Sequence, residues 1–207
     1  MTLYDSALDE NCYRVRLLLS LLRLPYTVVP VDIFPGQDHL TLPLIALNPG
    51  GDLPILVDGG VTITGTTAIM MHLARRHGGD LLIATADLAL SSQVAAWLEF
   101  SALQLGAARQ SRMIAVFGAP GDAAGLRIAS RKALRLMEDH LTRRRFEGGQ
   151  WFVGNAPTLA DPVLFPAFAL SRDYGLGHEE FPALRRWARA MRALPGFQTM
   201  PGIPDYG

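Results

Sequence analysis

The chain has 207 residues, of which 49% are hydrophobic, and its 19 basic and 19 acidic side chains cancel. A disordered chain combines low hydrophobicity with high net charge, and a general nucleic-acid-binding protein carries a basic excess, so the composition excludes both classes. The single cysteine, Cys12, excludes a disulfide framework or a cysteine-based zinc site within one chain, and it is typical of a reducing compartment.

The N-terminus lacks the composition of a secretory signal, because Asp5, Asp9 and Glu10 precede the first apolar run. The longest uncharged stretch, residues 59–74, opens with glycines and threonines and does not resemble a membrane span. We therefore expect a cytoplasmic protein with neither a membrane nor a nucleic acid as partner.

The zero net charge conceals two segments of opposite sign. Residues 1–80 carry five basic and eight acidic side chains, a net charge of −3, and the remaining 14 basic and 11 acidic side chains give +3. Two domains and chance variation both account for this split.

The first eighty residues predict a small α/β domain. A strand over residues 2–4, an amphipathic helix over 12–22 and a β-branched strand over 26–31 form a βαβ unit, whose two strands are parallel. A short helix is expected near residues 42–47.

A hairpin and a third helix complete this domain. Asp58-Gly59-Gly60 separates two β-rich runs, which is a strong hairpin signal, and a helix over 66–77 ends at Gly78-Gly79. The order of elements predicts a mixed sheet in a thioredoxin-like arrangement over residues 1–79, followed by a linker over 78–87.

From residue 88 onward the predicted elements are all helices. Helical periodicity covers residues 90–117 and 123–146, and a last helix lies around 184–191, with a proline near its start and Pro195-Gly196 after its end. We predict an all-α domain over residues 88–207.

A capping box is predicted where Thr158 and Asp161 precede the apolar run 163–170. The Thr158 hydroxyl is expected to accept from an amide one turn on, and the Asp161 carboxylate to accept from the Thr158 amide. This motif is expected to start a buried helix.

Ser6, Asn11 and Cys12 lie close to the start of the first predicted helix. A helix N-terminus presents unpaired amides and a partial positive charge, which stabilise a thiolate of the protein or of a ligand. The alternatives are that Cys12 is a small buried core residue and that Asn11 is a plain N-cap. Val15 stands where a resolving cysteine would be, so dithiol chemistry within the chain is excluded.

Two further segments indicate a ligand site. A cis Leu53-Pro54 bond would turn the Leu53 amide and carbonyl towards an extended peptide ligand. Gly65-Thr66-Thr67, at the start of the third predicted helix, is typical of a carboxylate site or of a plain N-cap. The five histidines show no metal-ligand spacing, so we expect no metal.

Together these segments resemble the cytosolic glutathione transferase family, nearest to its bacterial theta-like and nu-like classes. The resemblance covers nearly the whole chain in order, through residues 11–16, 24–26, 47–55 and 63–69 of the first domain and residues 154–161, 181–187 and 194–197 of the second. It implies a thioredoxin-like glutathione-binding domain, a helical domain with the substrate pocket, and a homodimer formed through the third and fourth helices.

The resemblance also implies roles for single residues. Leu53 and Pro54 would pair with the cysteinyl backbone of glutathione, Thr66 would hold its γ-glutamyl carboxylate, and Asn11 would lie near its sulfur. The glycyl carboxylate falls to His39, and the glutathione-binding set also includes Asp52, Gly65 and Thr67. The implied substrate pocket between the domains is lined by Phe100, Gln104, Ala108 and Phe117.

Three positions depart from the family pattern. Asp9 stands where the family has a serine or threonine that donates to the thiolate, Gly65-Thr66 stands where it has Glu-Ser, and Asp52 replaces a glutamine or lysine. A lost charge-assisted hydrogen bond weakens binding by roughly 1.5–3 kcal/mol. Ser6, Asn11 and Cys12 are the candidates for compensation.

Three functions follow as hypotheses. The first is a detoxifying transferase that conjugates the glutathione thiolate to a small hydrophobic electrophile. The second is a glutathione-dependent thiol or disulfide reductase that uses Cys12 or two bound glutathiones. The third is a transferase-like protein that only binds a ligand or partner, which the departures at Asp9 and Gly65 favour.

Overall fold

A four-stranded mixed sheet is the centre of the α/β half of the molecule. The computed structural model describes residues 1–78 and 87–206, so residues 79–86 of the predicted linker lie outside the described residues. The sheet order is β2-β1-β3-β4, in which β1 runs parallel to β2 and antiparallel to β3, and β3 runs antiparallel to β4. The strands are β1 (Thr2–Asp5), β2 (Thr27–Pro30), β3 (Ile55–Asp58) and β4 (Val61–Thr64).

Helices cover both faces of this sheet, as alternation along the strands requires. The helices are α1 (Glu10–Leu21), α2 (Leu42–Leu47) and α3 (Thr66–His77). Leu3 and Leu56, which are register partners, are fully buried in the core with α1 and α3. The next pair, Tyr4 and Ile55, packs in a smaller apolar cluster with Leu44 of α2.

The predicted hairpin and third helix are confirmed. Gly59 and Gly60 form the two-residue turn between β3 and β4, with φ angles of 58° and 84° that side-chain-bearing residues rarely adopt. The helix α3 spans residues 66–77, as predicted, because Gly65 precedes it and Gly78 follows it.

The second half of the chain is helical, and one of its predicted helices is wrong. The predicted helix over 90–117 is divided at Leu105, which is buried and is followed by Gly106, a poor helix former. Hydrophobic periodicity continues across the break and therefore did not reveal it. The helices are α4 (Leu88–Gln104), α5 (Gly106–Phe117), α6 (Ala123–Phe146), α7 (Ala160–Ala169) and α8 (Pro182–Arg192).

The helix α7 is buried along its whole length and lies against α1, α4 and α8. At its start, the Asp161 carboxylate accepts from the Thr158 amide at 2.8 Å, as the capping box predicts. The Thr158 hydroxyl, however, donates to the same carboxylate at 3.3 Å instead of accepting from an amide. It does so because Asp161 is fully buried and its charge recruits every nearby donor.

Hydrogen bonds join the two halves of the molecule. The Arg14 Nε of α1 donates to the Val163 carbonyl of α7 at 2.7 Å. The Arg112 Nη1 of α5 donates to the Leu8 carbonyl at 2.5 Å. Within residues 1–78 and 87–206, no helix is long and apolar enough to cross a membrane.

Candidate functional site

A cavity of about 340 Å³ lies between the two halves, and both contribute to its walls. It brings together five of the residues predicted from sequence, all from the α/β half: Asn11, Asp52, Gly65, Thr66 and Thr67. The opposite wall comes from the junction of α4 and α5, through Ser101, Ala102, Leu105, Gly106 and Arg109.

The N-terminus of α3 opens into this cavity. Gly65 is its N-cap and has no side chain to occupy the amides of the first turn, and its φ of 82° favours glycine. Thr66 and Thr67 line the cavity beside these amides. A hydroxyl and uncapped amides at the positive end of a helix dipole form a suitable carboxylate site.

The Leu53–Pro54 peptide bond is cis, as predicted. Both side chains are buried, and the preceding residue, Asp52, lines the cavity. In the described part of the chain, neither the amide nor the carbonyl of Leu53 has a hydrogen-bond partner. This segment therefore retains one donor and one acceptor for an extended ligand.

Asn11 faces the cavity from the first turn of α1, and Arg14 fixes its orientation. The Asn11 Oδ1 accepts from the Arg14 Nη1 at 2.5 Å. Because the oxygen is occupied, the Nδ2 amide is the group that remains to donate to an anion in the cavity.

Cys12 and Ser6 are not among the residues that line the cavity. Cys12 is fully buried, and burial first and the Asp9 charge second raise the pKa of its thiol well above the usual range. The Ser6 amide donates to the Cys12 sulfur at 3.4 Å. A nucleophilic role for Cys12 is not supported, because its thiol is held neutral and out of contact with the cavity.

Asp9 is directed into the protein, which was not evident from the sequence. Only 2% of Asp9 is exposed, and its Oδ1 accepts from the Cys12 amide at 2.9 Å as the N-cap of α1. Its Oδ2 accepts from the Arg109 Nη2 at 3.2 Å. The negative charge that should have opposed an anionic ligand is thus held beneath the cavity and paired with a cation.

The helical wall is offset by one residue from the predicted one. The prediction named Phe100, Gln104 and Ala108, whereas Ser101, Leu105 and Arg109 line the cavity at the same spacing. One residue rotates a helical face by about 100°, and the break at Leu105 makes that rotation unpredictable from periodicity. Phe100 packs against Trp97 instead, Phe117 against Phe34, Ala108 is buried and Gln104 is exposed.

His39 lies apart from the cavity lining, in a 3₁₀ turn over Asp38–Leu40. Its Nδ1 is buried without a hydrogen-bond partner in the described residues. Within those residues no group of three His, Cys, Asp or Glu side chains is placed to hold a metal ion. Arg14 and Arg109 are the cavity residues that sequence reasoning missed, and no motif marks either of them.

The comparisons agree with this architecture. Residues 3–80 match the family described as glutathione S-transferase, N-terminal domain, and residues 120–190 match glutathione S-transferase, C-terminal domain. Glutathione S-transferase 3 of Zea mays is 32% identical, with 99% of this chain and 95% of that protein covered. The crystal structure of a glutathione S-transferase from Pseudomonas fluorescens Pf-5 is 27% identical at a TM-score of 0.86, over 97% and 98% of the two chains.

A third relative has a different printed description. The transcriptional regulator URE2 of Saccharomyces cerevisiae is 26% identical over 94% of this chain and 65% of that protein. Its structure in complex with glutathione superimposes at a TM-score of 0.83, with 26% identity and coverage of 94% and 95%. The sequence match along both halves and the shared architecture lead to one conclusion: this chain belongs to the glutathione S-transferase family.

Proposed function

We propose that this protein is a glutathione transferase that adds the glutathione thiolate to a small electrophile. The observation that carries the proposal is that the uncapped N-terminus of α3 and the free amide of Asn11 open into one cavity. The first suits a carboxylate and the second suits an anionic sulfur, so the cavity matches two ends of the same tripeptide.

The proposed binding mode assigns one task to each wall. Thr66 and the first-turn amides of α3 hold the γ-glutamyl carboxylate, and the Leu53 backbone pairs with the cysteinyl unit. Asn11 Nδ2 donates to the thiolate, which lowers the thiol pKa. The sulfur then forms a bond to the electrophilic carbon, and the thiol proton passes to solvent.

Two other functions remain as alternatives. A reductase would need two bound glutathiones, because the thiol of Cys12 is buried. A protein that binds without catalysis is favoured by the relation to URE2 and by Gly65, which cannot supply the side-chain contact of the family glutamate. Conjugation of glutathione to any member of a broad electrophile panel would favour the transferase over both.

Calorimetry with glutathione tests the site directly. Thr66→Val removes one hydroxyl and keeps the β-branched shape, so we expect the dissociation constant to rise about 10- to 100-fold. Thr62→Val is the matched control, because Thr62 is exposed on β4 away from the cavity. The proposal fails if the parent protein binds no glutathione at millimolar concentration, or if both variants bind alike.

We also propose a cytoplasmic homodimer formed through α3 and α4. Leu88 and Leu103 of α4 are 81% and 69% exposed, which leaves apolar surface for a second copy to cover. Light scattering should give twice the mass of the chain, and a monomeric mass at micromolar concentration would contradict the dimer.

A further inference from the structure

The two arginines that line the cavity differ in how much of their hydrogen-bonding capacity is used. Arg14 uses all three of its nitrogens inside the protein, on the Val163 carbonyl, Asn11 and Glu10 at 2.5–2.7 Å. Arg109 makes one bond, from Nη2 to Asp9 at 3.2 Å. Within residues 1–78 and 87–206, Nη1 and Nε of Arg109 have no hydrogen-bond partner.

Arg109 is held in place at the cavity and remains accessible. Its side chain is 35% exposed, while that of its partner, Asp9, is only 3% exposed. The buried carboxylate anchors one edge of the guanidinium and leaves the Nη1 group for a ligand. A planar, fixed guanidinium with free N–H groups favours carboxylates and similar anions.

The wall around Arg109 does not resemble a pocket for an apolar compound. Besides Arg109, the α4–α5 junction contributes Ser101, Ala102, Leu105 and Gly106, of which only Leu105 has a large apolar side chain. Pockets for hydrophobic ligands are lined mainly by apolar and aromatic groups, and here the predicted aromatic residues pack elsewhere.

We propose that Arg109 binds a carboxylate, or a similar planar anion, on the second substrate, so that the protein prefers small anionic electrophiles to neutral hydrophobic ones. This inference rests on the proposed transferase function. It replaces the hydrophobic electrophile that the sequence led us to expect.

Direct binding tests the anion site without any need for catalysis. The probes are 3,5-dinitrobenzoate and 3,5-dinitrobenzamide, which have the same ring and differ in charge. Calorimetry should show the benzoate bound at least tenfold more tightly by the parent protein, with the difference lost in Arg109→Gln. Equal affinity of the parent protein for both probes would overturn the proposal, whether or not glutathione binds.

Catalysis tests the same preference in a reaction. Glutathione attacks the chlorine-bearing carbon of 4-chloro-3,5-dinitrobenzoate or of its benzamide, so a C–S bond forms, chloride leaves and the thiol proton goes to solvent. The ratio of kcat/KM for the two compounds, corrected for the uncatalysed rates, should favour the benzoate at least tenfold. It should fall about tenfold in Arg109→Gln and by less in Arg109→Lys, which keeps the charge and loses the fork.

Three controls separate the explanations. Arg75→Gln, at an exposed position of α3 outside the cavity, should leave the ratio unchanged. Asp9→Asn/Arg109→Gln removes both charges, so a folded double variant with the same lost preference excludes an effect of stranding Asp9. If Arg109→Gln instead weakens glutathione binding and leaves the ratio as it was, Arg109 serves a carboxylate of glutathione and the proposal is overturned.

Discussion

At the scale of single residues, the start of α1 separates two tasks between neighbours. Asp9 accepts from the Cys12 amide and from Arg109, so its charge stabilises the helix terminus and the junction with α5. Asn11 points its free amide into the cavity, since Arg14 occupies its oxygen. The family hydroxyl that Asp9 replaces is therefore not needed as a cap, and donation to the sulfur falls to Asn11.

Replacing Asn11 tests this assignment. Asn11→Ala should lower kcat/KM by about 10²–10³, the usual cost of removing one donor from a developing anion. Asn11→Asp should lower it further and raise the pKa seen in the pH–rate profile, because a second negative charge opposes the thiolate. Steady-state rates and thiolate absorbance report both effects.

Asn155→Asp is the matched control, because Asn155 is exposed in a turn outside the cavity. Its rate and pH profile should equal those of the parent protein. Unchanged kcat/KM in both Asn11 variants would move the thiolate contact to another group.

At the scale of elements, one carboxylate organises the start of the buried helix α7. Besides Thr158, Asp161 accepts from the Trp187 Nε1 of α8 at 2.9 Å and from the Phe152 amide at 3.3 Å. Burial raises the pKa of Asp161 to about 6, so the group is ionised at neutral pH and serves all its donors. Asp161 thereby connects α7, α8 and the segment before α7.

Asp161→Asn should destabilise the protein by about 2–3 kcal/mol at pH 7. The new amide nitrogen must face a donor, which leaves buried N–H groups without acceptors. Thermal unfolding should show a decrease of about 5–10 °C. Asp205→Asn is the control, because Asp205 is 88% exposed and its substitution should change stability by less than about 0.5 kcal/mol. Equal effects would contradict the role assigned to Asp161.

The contact between β3 and α3 predicts a dependence of stability on pH. Asp58 of β3 is hydrogen-bonded to the His72 Nε2 of α3 at 2.9 Å, and Arg76 lies at 3.4 Å. The hydrogen bond from His72 lowers the pKa of Asp58, and the Arg76 charge adds to this effect. A carboxyl group whose pKa is lower in the folded state stabilises it above the unfolded pKa, near 4, and loses that contribution as the pH falls.

Asp58→Asn should therefore lower the free energy of unfolding at pH 7, on the order of 1 kcal/mol. The difference between parent and variant should shrink as the pH falls below about 4. Urea unfolding at a series of pH values measures it. A difference that stays constant down to pH 2 would show that the substitution acts through packing and not through the charge.

At the scale of the whole molecule, Arg112 connects three separate parts of the chain. It lies on α5, is 3% exposed, and donates to the Leu8 carbonyl and to Asp173 at 2.5 and 2.7 Å. Leu8 directly precedes the cap of α1, so the same side chain that joins the two halves also supports the floor of the cavity.

Arg112→Met should destabilise the protein by about 3 kcal/mol, because a buried carboxylate and a carbonyl lose their donor. Urea unfolding gives this value, and glutathione affinity should fall with it as the Leu8–Asp9 segment loosens. Arg131→Met, which removes a half-exposed pair with Glu180 at 3.0 Å, is expected to cost less than about 1 kcal/mol. Similar losses in both variants would contradict a special role for Arg112.

The sequence by itself determined the elements of this protein and their order. Gly65 and Gly78 enclose α3, Gly59-Gly60 sets the hairpin, and Thr158 with Asp161 marks the start of α7, because each signal acts within a few residues. The residues of the α3 N-terminus and Asn11 were found for the same reason: a helix end has unpaired amides wherever it lies.

Only the tertiary structure decided which side chains reach the cavity. The break at Leu105 rotates the wall by one residue, and Arg109 pairs with Asp9 from 100 residues away. The same docking turns Asp9 inward and buries the thiol of Cys12. Such outcomes depend on contacts between distant segments, and local periodicity carries no information about them.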